Sequence, residues 1–269
     1  MRNIYAIIAL SLAAVLCAAT AGNAEALRPL CPDRPGKGTS ACTLDAGHFQ
    51  LEIDAFDGSF QRTDGVTSDT YVAASPTLKY GVGDRVDVEA TVTPYISRRT
   101  RDALSDTTLS GFGDLYLRGK WNFLGDGGDF AAVLEPFVKI ATARRGLGDG
   151  AMEEGLVLPL SYDLGDDWSL ASTPEMDILL NASGSGRHAA VADVIGLGRA
   201  LENGLTLGAE LWTSQDFDPS GAASQYSFDL DAAWQPRGDA DLQLDIGVNL
   251  GLNRNTPGSQ LYFGISRRF

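Results

Sequence analysis

Few residues in this chain could do nucleophilic chemistry. It has two histidines, His48 and His188. A Ser–His hydrolase needs an imidazole beside a hydroxyl and a third group that orients the ring. Ser183 and Ser185 could meet His188 in a loop, but no carboxylate is obviously placed to hold it, and Ser183-Gly184-Ser185-Gly186 reads as a flexible turn. The acidic stretches 126–129 and 163–167 lack the spaced ligands of a calcium loop and read as solvated turns. Gly36-Lys37-Gly38-Thr39-Ser40 faintly resembles a phosphate loop, without its first glycine, preceding strand or following helix. No catalytic residue, cofactor site or metal ligand set is therefore expected, and the chain is not expected to be an enzyme.

Cysteine chemistry is the stronger signal. Arg2, the apolar run Ile7 to Cys17 and the small-x-small triplet Ala24-Glu25-Ala26 read as an export signal over residues 1–26, with cleavage after Ala21 or Ala24 as variants. Leu16 before Cys17 argues against a lipoprotein, so Cys17 leaves with the signal. The mature chain keeps Cys31 and Cys42, an even number in an exported protein. They either bridge or stay as free thiols. The oxidising compartment favours a bridge, which would contribute about 3 kcal/mol by closing a short loop. Metal binding has only His48 nearby and no Cys-x-x-Cys. Residues 27–46, rich in Pro, Gly, Ser and Thr and without a period, are expected to form an extended arm stapled by that bridge.

From Gly47 onward the chain alternates apolar and polar residues at strand period. Phe49 to Ala55, Tyr71 to Tyr80, Val86 to Thr93, Asp114 to Phe123 and Ala132 to Ile140 are clear. Glu154 to Tyr162, Trp168 to Leu180 and Arg187 to Arg199 are noisier. Leu205 to Trp212, Tyr226 to Trp234, Leu242 to Leu252 and Leu261 to Phe269 are clear again. That gives twelve candidate strands and no convincing helical period. Connections after even strands are tight; those after odd strands (57–69, 97–110, 141–150 and 214–223) are mostly longer. An even number of strands, short turns at one rim and long loops at the other fit a closed antiparallel transmembrane β-barrel over residues 47–269. Pro76, Pro94, Pro136, Pro159 and Pro174 fit least well, and are expected at bulges or strand ends.

Bulk composition is consistent with this. Net charge is −14 across 269 residues, which argues against nucleic acid as a partner. Past the signal no apolar run is long enough for a helical span, and a barrel needs none. The polar faces carry Glu52, Asp54, Lys79, Asp87, Glu89, Asp114, Arg118, Lys120, Glu135, Lys139, Glu175, Asp177, Arg199, Glu210, Asp229, Asp231, Asp245 and Arg268. If the apolar faces meet lipid, these groups line an interior, either as structural pairs or as a pathway whose charges bias what passes. Trp121, Phe123, Tyr162, Trp168, Trp212, Tyr226, Trp234, Phe263 and Phe269 sit near strand ends, where interfacial girdles form. The same alternation would suit a soluble or surface β-sandwich with its apolar faces turned inward, serving a binding or structural role.

Several stretches resemble the outer-membrane transporter family named for the meta-pathway of phenol degradation. They are Cys31-Pro32-Asp33-Arg34-Pro35, Gly47-His48-Phe49-Gln50-Leu51-Glu52, Ser75 to Gly81, Gly111 to Arg118, Glu135-Pro136-Phe137-Val138-Lys139 and Ser266-Arg267-Arg268-Phe269. The resemblance implies a barrel in a Gram-negative outer membrane, among its lipids, that passes small solutes, aromatic ones included, without a cofactor. The barrel is expected to be a monomer. The closing strand, with Phe263, Ile265 and Phe269, is expected to meet the first strand and to serve as the signal read by the barrel-assembly machinery.

Overall fold

The computed structural model describes residues 27–125 and 128–269; the export signal expected at 1–26 lies outside the described residues. Every regular element is a strand, and all pairings between strands are antiparallel. The chain opens with a long hairpin, β1 (Phe49–Thr63) and β2 (Val66–Gly83), turned at Asp64 and Gly65, both at positive φ. Then follow β3 (Val86–Thr91), β4 (Tyr95–Arg101), β5 (Asp106–Gly111), β6 (Leu115–Leu124), β7 (Phe130–Ile140), β8 (Glu153–Val157) and β9 (Leu160–Gly165). The rest are β10 (Trp168–Ser172), β11 (Glu175–Leu180), β12 (Arg187–Ala200), β13 (Leu205–Asp216), β14 (Ala223–Trp234), β15 (Leu242–Gly251) and β16 (Ser259–Arg268).

Four pairs of these segments are single barrel strands with a short break. β2 pairs with both β3 and β4, β3 with β6, and β4 with β5. Likewise β7 pairs with β8 and β9, and β12 with β10 and β11. Sixteen segments therefore make twelve strands, and β16 closes the ring on β1 from Gln50↔Arg268 to Phe60↔Ser259. The chain end completes the seam: Phe269 N donates to Phe49 O at 2.7 Å and Phe49 N to Phe269 O at 3.2 Å. In lipid no water can satisfy an open edge, so this closure is what makes the fold viable.

Proline explains most of the breaks. Pro94, Pro159 and Pro174 fall between β3 and β4, β8 and β9, and β10 and β11. The ladder is patched beside them: Gly113 N donates to Thr93 O, Val133 N to Pro159 O and Leu158 N to Pro174 O, each within 2.8–2.9 Å. Pro76 stays inside β2 opposite Ile53, two residues from the left-handed Ala74 and just before the irregularity between Asp54 and Phe56. Pro136 stays inside β7, where the β6 ladder skips Gly119 and Lys120.

Two expected loops are instead strands. The stretches 57–69 and 97–110 form the ends of the β1–β2 and β4–β5 hairpins. Alternation fades in both because the strands there leave the two-faced environment that imposes it. The 141–150 connection and most of 214–223, between Asp216 and Ala223, do remain loops.

Burial is inverted relative to a soluble domain. Gln50, Lys79, Lys120, Glu135, Asp229 and Ser266 are almost fully enclosed, whereas Leu211 is 57% and Ile195 54% exposed. Trp121, Phe123, Tyr162, Tyr226, Trp234, Phe263 and Phe269 also face outward. A sandwich would bury its apolar faces, so that alternative is excluded. Purified in detergent, the protein should run faster on a denaturing gel when unheated than when boiled. Identical mobility would mean that the ring is not closed.

Candidate functional site

The interior is organised by the segment that precedes the first strand. Residues 27–48 carry no strand, and Cys31 and Cys42 are joined by a disulfide with Cα atoms 6.0 Å apart. The segment folds into the lumen. Leu30, Cys31, Thr43 and Leu44 are buried. Gln50 Nε2 donates to Cys31 O at 2.9 Å, Gln243 Nε2 to Arg34 O at 2.9 Å, and Leu44 N to Asp87 at 2.8 Å. A polar wall can hold an irregular backbone because it supplies partners for the unpaired N–H and C=O groups.

Charge orders the insertion. Asp33 places its carboxylate between the ammonium groups of Lys79 on β2 and Lys120 on β6. Its N–H donates to Glu52 at 3.1 Å, and Ser40 N donates to its Oδ1 at 3.0 Å. Burial opposes ionisation of Asp33, but Lys120 and Lys79 outweigh it and hold the carboxyl well below the usual carboxylate range. Lys79 also meets Glu52 at 2.6 Å and Glu89 at 3.4 Å, while Lys120 meets Glu89 at 3.7 Å and Glu135 at 3.8 Å. Arg118 completes the group, 3.5 Å from Glu135.

The next residues reach the opposite wall with the opposite sign. Arg34 pairs with Asp245 on β15 at 2.7 Å and with Asp54 on β1. Gly36 N donates to the Tyr262 hydroxyl at 3.0 Å, and Lys37 N to Glu210 at 2.8 Å. Glycine is required at position 36. Its φ is +90°, and a Cβ there would lie 2.6 Å from Glu210 Oε1. The wall from β13 to β15 is acidic, with Glu210 opposite Asp229, and Asp231 between Gly208 and Gly247.

The remaining expected residues fall elsewhere on the interior face. Lys139 pairs with Asp149 at 2.7 Å and with Glu153, and lies 4.0 Å from Asp114. Asp114 in turn accepts from Thr142 N and Ala143 N, which anchors the start of the 141–150 loop. Glu175 and Asp177 neighbour one another on β11. Arg268 joins Asp45 at 3.0 Å and Asp241 at 2.7 Å beside the chain end. Arg199 instead stacks over Trp168, 4.8 Å from the ring centroid. Trp212, expected in a girdle, meets Lys37 inside the lumen.

His188 differs from expectation in its surroundings. Its Nε2 lies 2.8 Å from Asp216 and its Nδ1 2.9 Å from Asn181, with Asp218 at 3.6 Å. Hydrogen bonds from Ser220 and Ala182 hold the Asp218 carboxyl down at about 2. Carboxylates are thus present, Asp216 at the end of β13 and Asp218 just beyond it, but the Ser183 hydroxyl donates to Ser185 O rather than to the imidazole.

A cavity of about 330 Å³ remains above the inserted segment. Asp33 to Lys37 form its floor, and Asp54, Asp57, Glu89, Arg118, Glu135 and Gln260 its walls. Breaking a buried ion pair by removing one partner typically costs about 3–5 kcal/mol, because a charge is left uncompensated. Lys120→Met should therefore lower the urea midpoint of the folded barrel, and Lys120→Met with Asp33→Asn should recover much of the loss. Equal midpoints for the single variant and the unaltered protein would show that the pair is not closed.

Comparison with known proteins agrees with this architecture. An outer-membrane channel from Pseudomonas putida F1 superposes with a TM-score of 0.67 at 18% identity, over 88% of this chain and 99% of that one. The translocator domain of the autotransporter NalP from Neisseria meningitidis gives 0.52 at 13% identity, over 83% and 89%. The β-domain of the Bordetella autotransporter BrkA gives 0.50 at 17%, over 84% and 100%. At these identities the likeness is one of fold. No curated protein matches the sequence. The profile of the family described by the MetA-pathway of phenol degradation matches residues 32–269, from the arm through the last strand, and the chain belongs to that family.

Proposed function

We propose that the protein is a passive outer-membrane channel for small solutes, narrowed by its own N-terminal segment. The observation that carries this reading is the inverted burial: an apolar belt around an interior lined with charge, enclosing a cavity of about 330 Å³. The structural neighbour from Pseudomonas putida F1 is itself described as an outer-membrane channel, and the family description points to small aromatic compounds as cargo. The acidic wall from β13 to β15 favours cations and polar neutral solutes over anions. The short-turn rim, where both ends of the barrel chain meet, faces the periplasm in this reading, and the chain functions as a monomer without a cofactor. Lys79, Asp87, Glu89, Asp114, Arg118, Lys120, Glu135, Lys139, Glu175, Asp177, Glu210, Asp229, Asp231 and Asp245 line the pathway. Among the described residues the polar contacts of His188 are Asn181, Asp216 and Asp218, which lend a catalytic role no support.

The inserted segment favours a second reading, in which the lumen is plugged and the barrel serves a structural or adhesive role. Planar-bilayer conductance separates the two. The unaltered protein should give small, discrete, cation-preferring events, and deletion of residues 31–42 should enlarge them several-fold. Silence from both proteins, with no solute flux into liposomes, would leave the plugged reading.

Phe263, Ile265 and Phe269 form the outward face of the closing strand, and we assign them as the signal read by the assembly machinery. Removing Phe269 should lower the amount of inserted barrel well below that of the intact chain. The conductance of molecules that do insert should stay the same. Undiminished insertion of the truncated chain would show that the terminal Phe is not part of the signal.

A further inference from the structure

Lys37 occupies a pocket built for an ammonium group. Its Nζ lies 4.7 Å from the centroid of the Trp212 ring and 3.9 Å from Asp229 Oδ2. Among the described residues, Lys37 Nζ makes no hydrogen bond. It is held by charge and by the ring face, the way aromatic cages hold organic cations. Asp229 is fully enclosed, and while Ser227 satisfies its Oδ2 at 3.0 Å, its Oδ1 has no hydrogen-bond partner. An unpartnered carboxylate oxygen at that depth is costly unless a cation offsets it. Glu210, paired across the ladder with Asp229, adds a second acid and is occupied mainly by the Lys37 backbone.

The pocket also has a way in. Lys37 is among the residues that line the 330 Å³ cavity, so the occupant of the Trp212–Asp229 pocket borders that space. The flanking glycines let the segment press its backbone against Glu210 while the side chain alone enters the cage. This gives the Gly36-Lys37-Gly38 stretch a physical purpose unrelated to phosphate.

We propose that Trp212, Asp229 and Glu210 form a lumen subsite for small primary alkylammonium ions, and that Lys37 is a resident occupant that a solute must displace. The wall belongs to the barrel and the lysine to the inserted segment, so the segment acts as a tethered competitor. This assigns a cargo class to the channel reading above. A site whose competent fraction is small binds with its apparent affinity reduced by that fraction.

The test uses full-length barrel in detergent, with n-butylammonium chloride as the probe and tryptophan fluorescence as the readout. Trp121 and Trp234 face outward and Trp168 lies beneath Arg199, so a lumen signal belongs to Trp212. Lys37→Ala should bind n-butylammonium saturably, about tenfold or more tighter than the unaltered protein. Lys37→Arg, which refills the cage, should bind as weakly as the unaltered protein. Trp212→Leu added to Lys37→Ala should abolish the signal and the binding seen by calorimetry. All variants are first shown to be heat-modifiable, so that misfolding is not read as loss of binding. Equal affinity in Lys37→Ala and the unaltered protein would overturn the proposal. So would equal binding of n-butanol, since the site would then read the alkyl stem rather than the charge. Because no flux is measured, binding with silent bilayers would fault only the channel reading, and conductance without binding only this one.

Discussion

The structure depends on one constraint, that hydrocarbon offers no partner to a polar group. The backbone must then satisfy itself around a complete ring, and the reciprocal bonds between Phe49 and Phe269 are where that ring closes. The same constraint accounts for the repairs at the prolines. Where Pro174 interrupts the wall, Thr173 N donates to Val194 O at 2.9 Å and to the Asp193 carboxylate at 3.2 Å, and Ser172 adds its hydroxyl to the same carboxylate. Asp193 is half-buried on the strand face that also carries Val191, Ile195 and Leu197, and these two donors hold its carboxylate beside the break.

Turning the polar faces inward moves the problem to the lumen, where charges crowd in a confined space. The inserted segment answers it with one acid followed by two bases, Asp33, Arg34 and Lys37. Asp33 neutralises the lysines of β2 and β6, and Arg34 and Lys37 face the acids of β1, β13, β14 and β15. Without this segment the walls would confront one another as a basic and acidic cluster on one side and an acidic face on the other. The barrel and its plug are therefore electrostatically one object. The disulfide contributes by limiting the conformations of the loop that carries these charges.

Much of the barrel was legible because alternation is a local signal. In the last strand, Tyr262, Ser266 and Arg268 lie on the polar face in sequence and are enclosed in the structure. The hairpin ends at 57–69 and 97–110 were not legible, since beyond the apolar belt both faces of a strand meet polar surroundings. The destination of residues 27–48 was hidden for another reason. Arg34 and Asp245 are 211 positions apart, and nothing in a window of sequence announces their contact. Lys37 between two glycines was visible as a pattern, but its meaning required Trp212, Asp229 and Glu210 to be seen around it. The carboxylates at His188 escaped notice similarly, being supplied by Asp216 at the far end of the next strand and by Asp218 in the loop after it.

The long reach of the inserted segment has a kinetic consequence. Its contacts run to β1, β2, β6, β13, β15 and β16, so its seat does not exist until almost the whole chain has been laid down. Contacts so distant in sequence form late, because the entropy of bringing the ends together must be met first. Yet the segment is covalently continuous with β1, one of the two strands that form the final seam. Its partners on β13, β15 and β16 come round to it only as the joining of Phe269 to Phe49 seals the ring, so only the closed wall offers the segment all of its contacts at once.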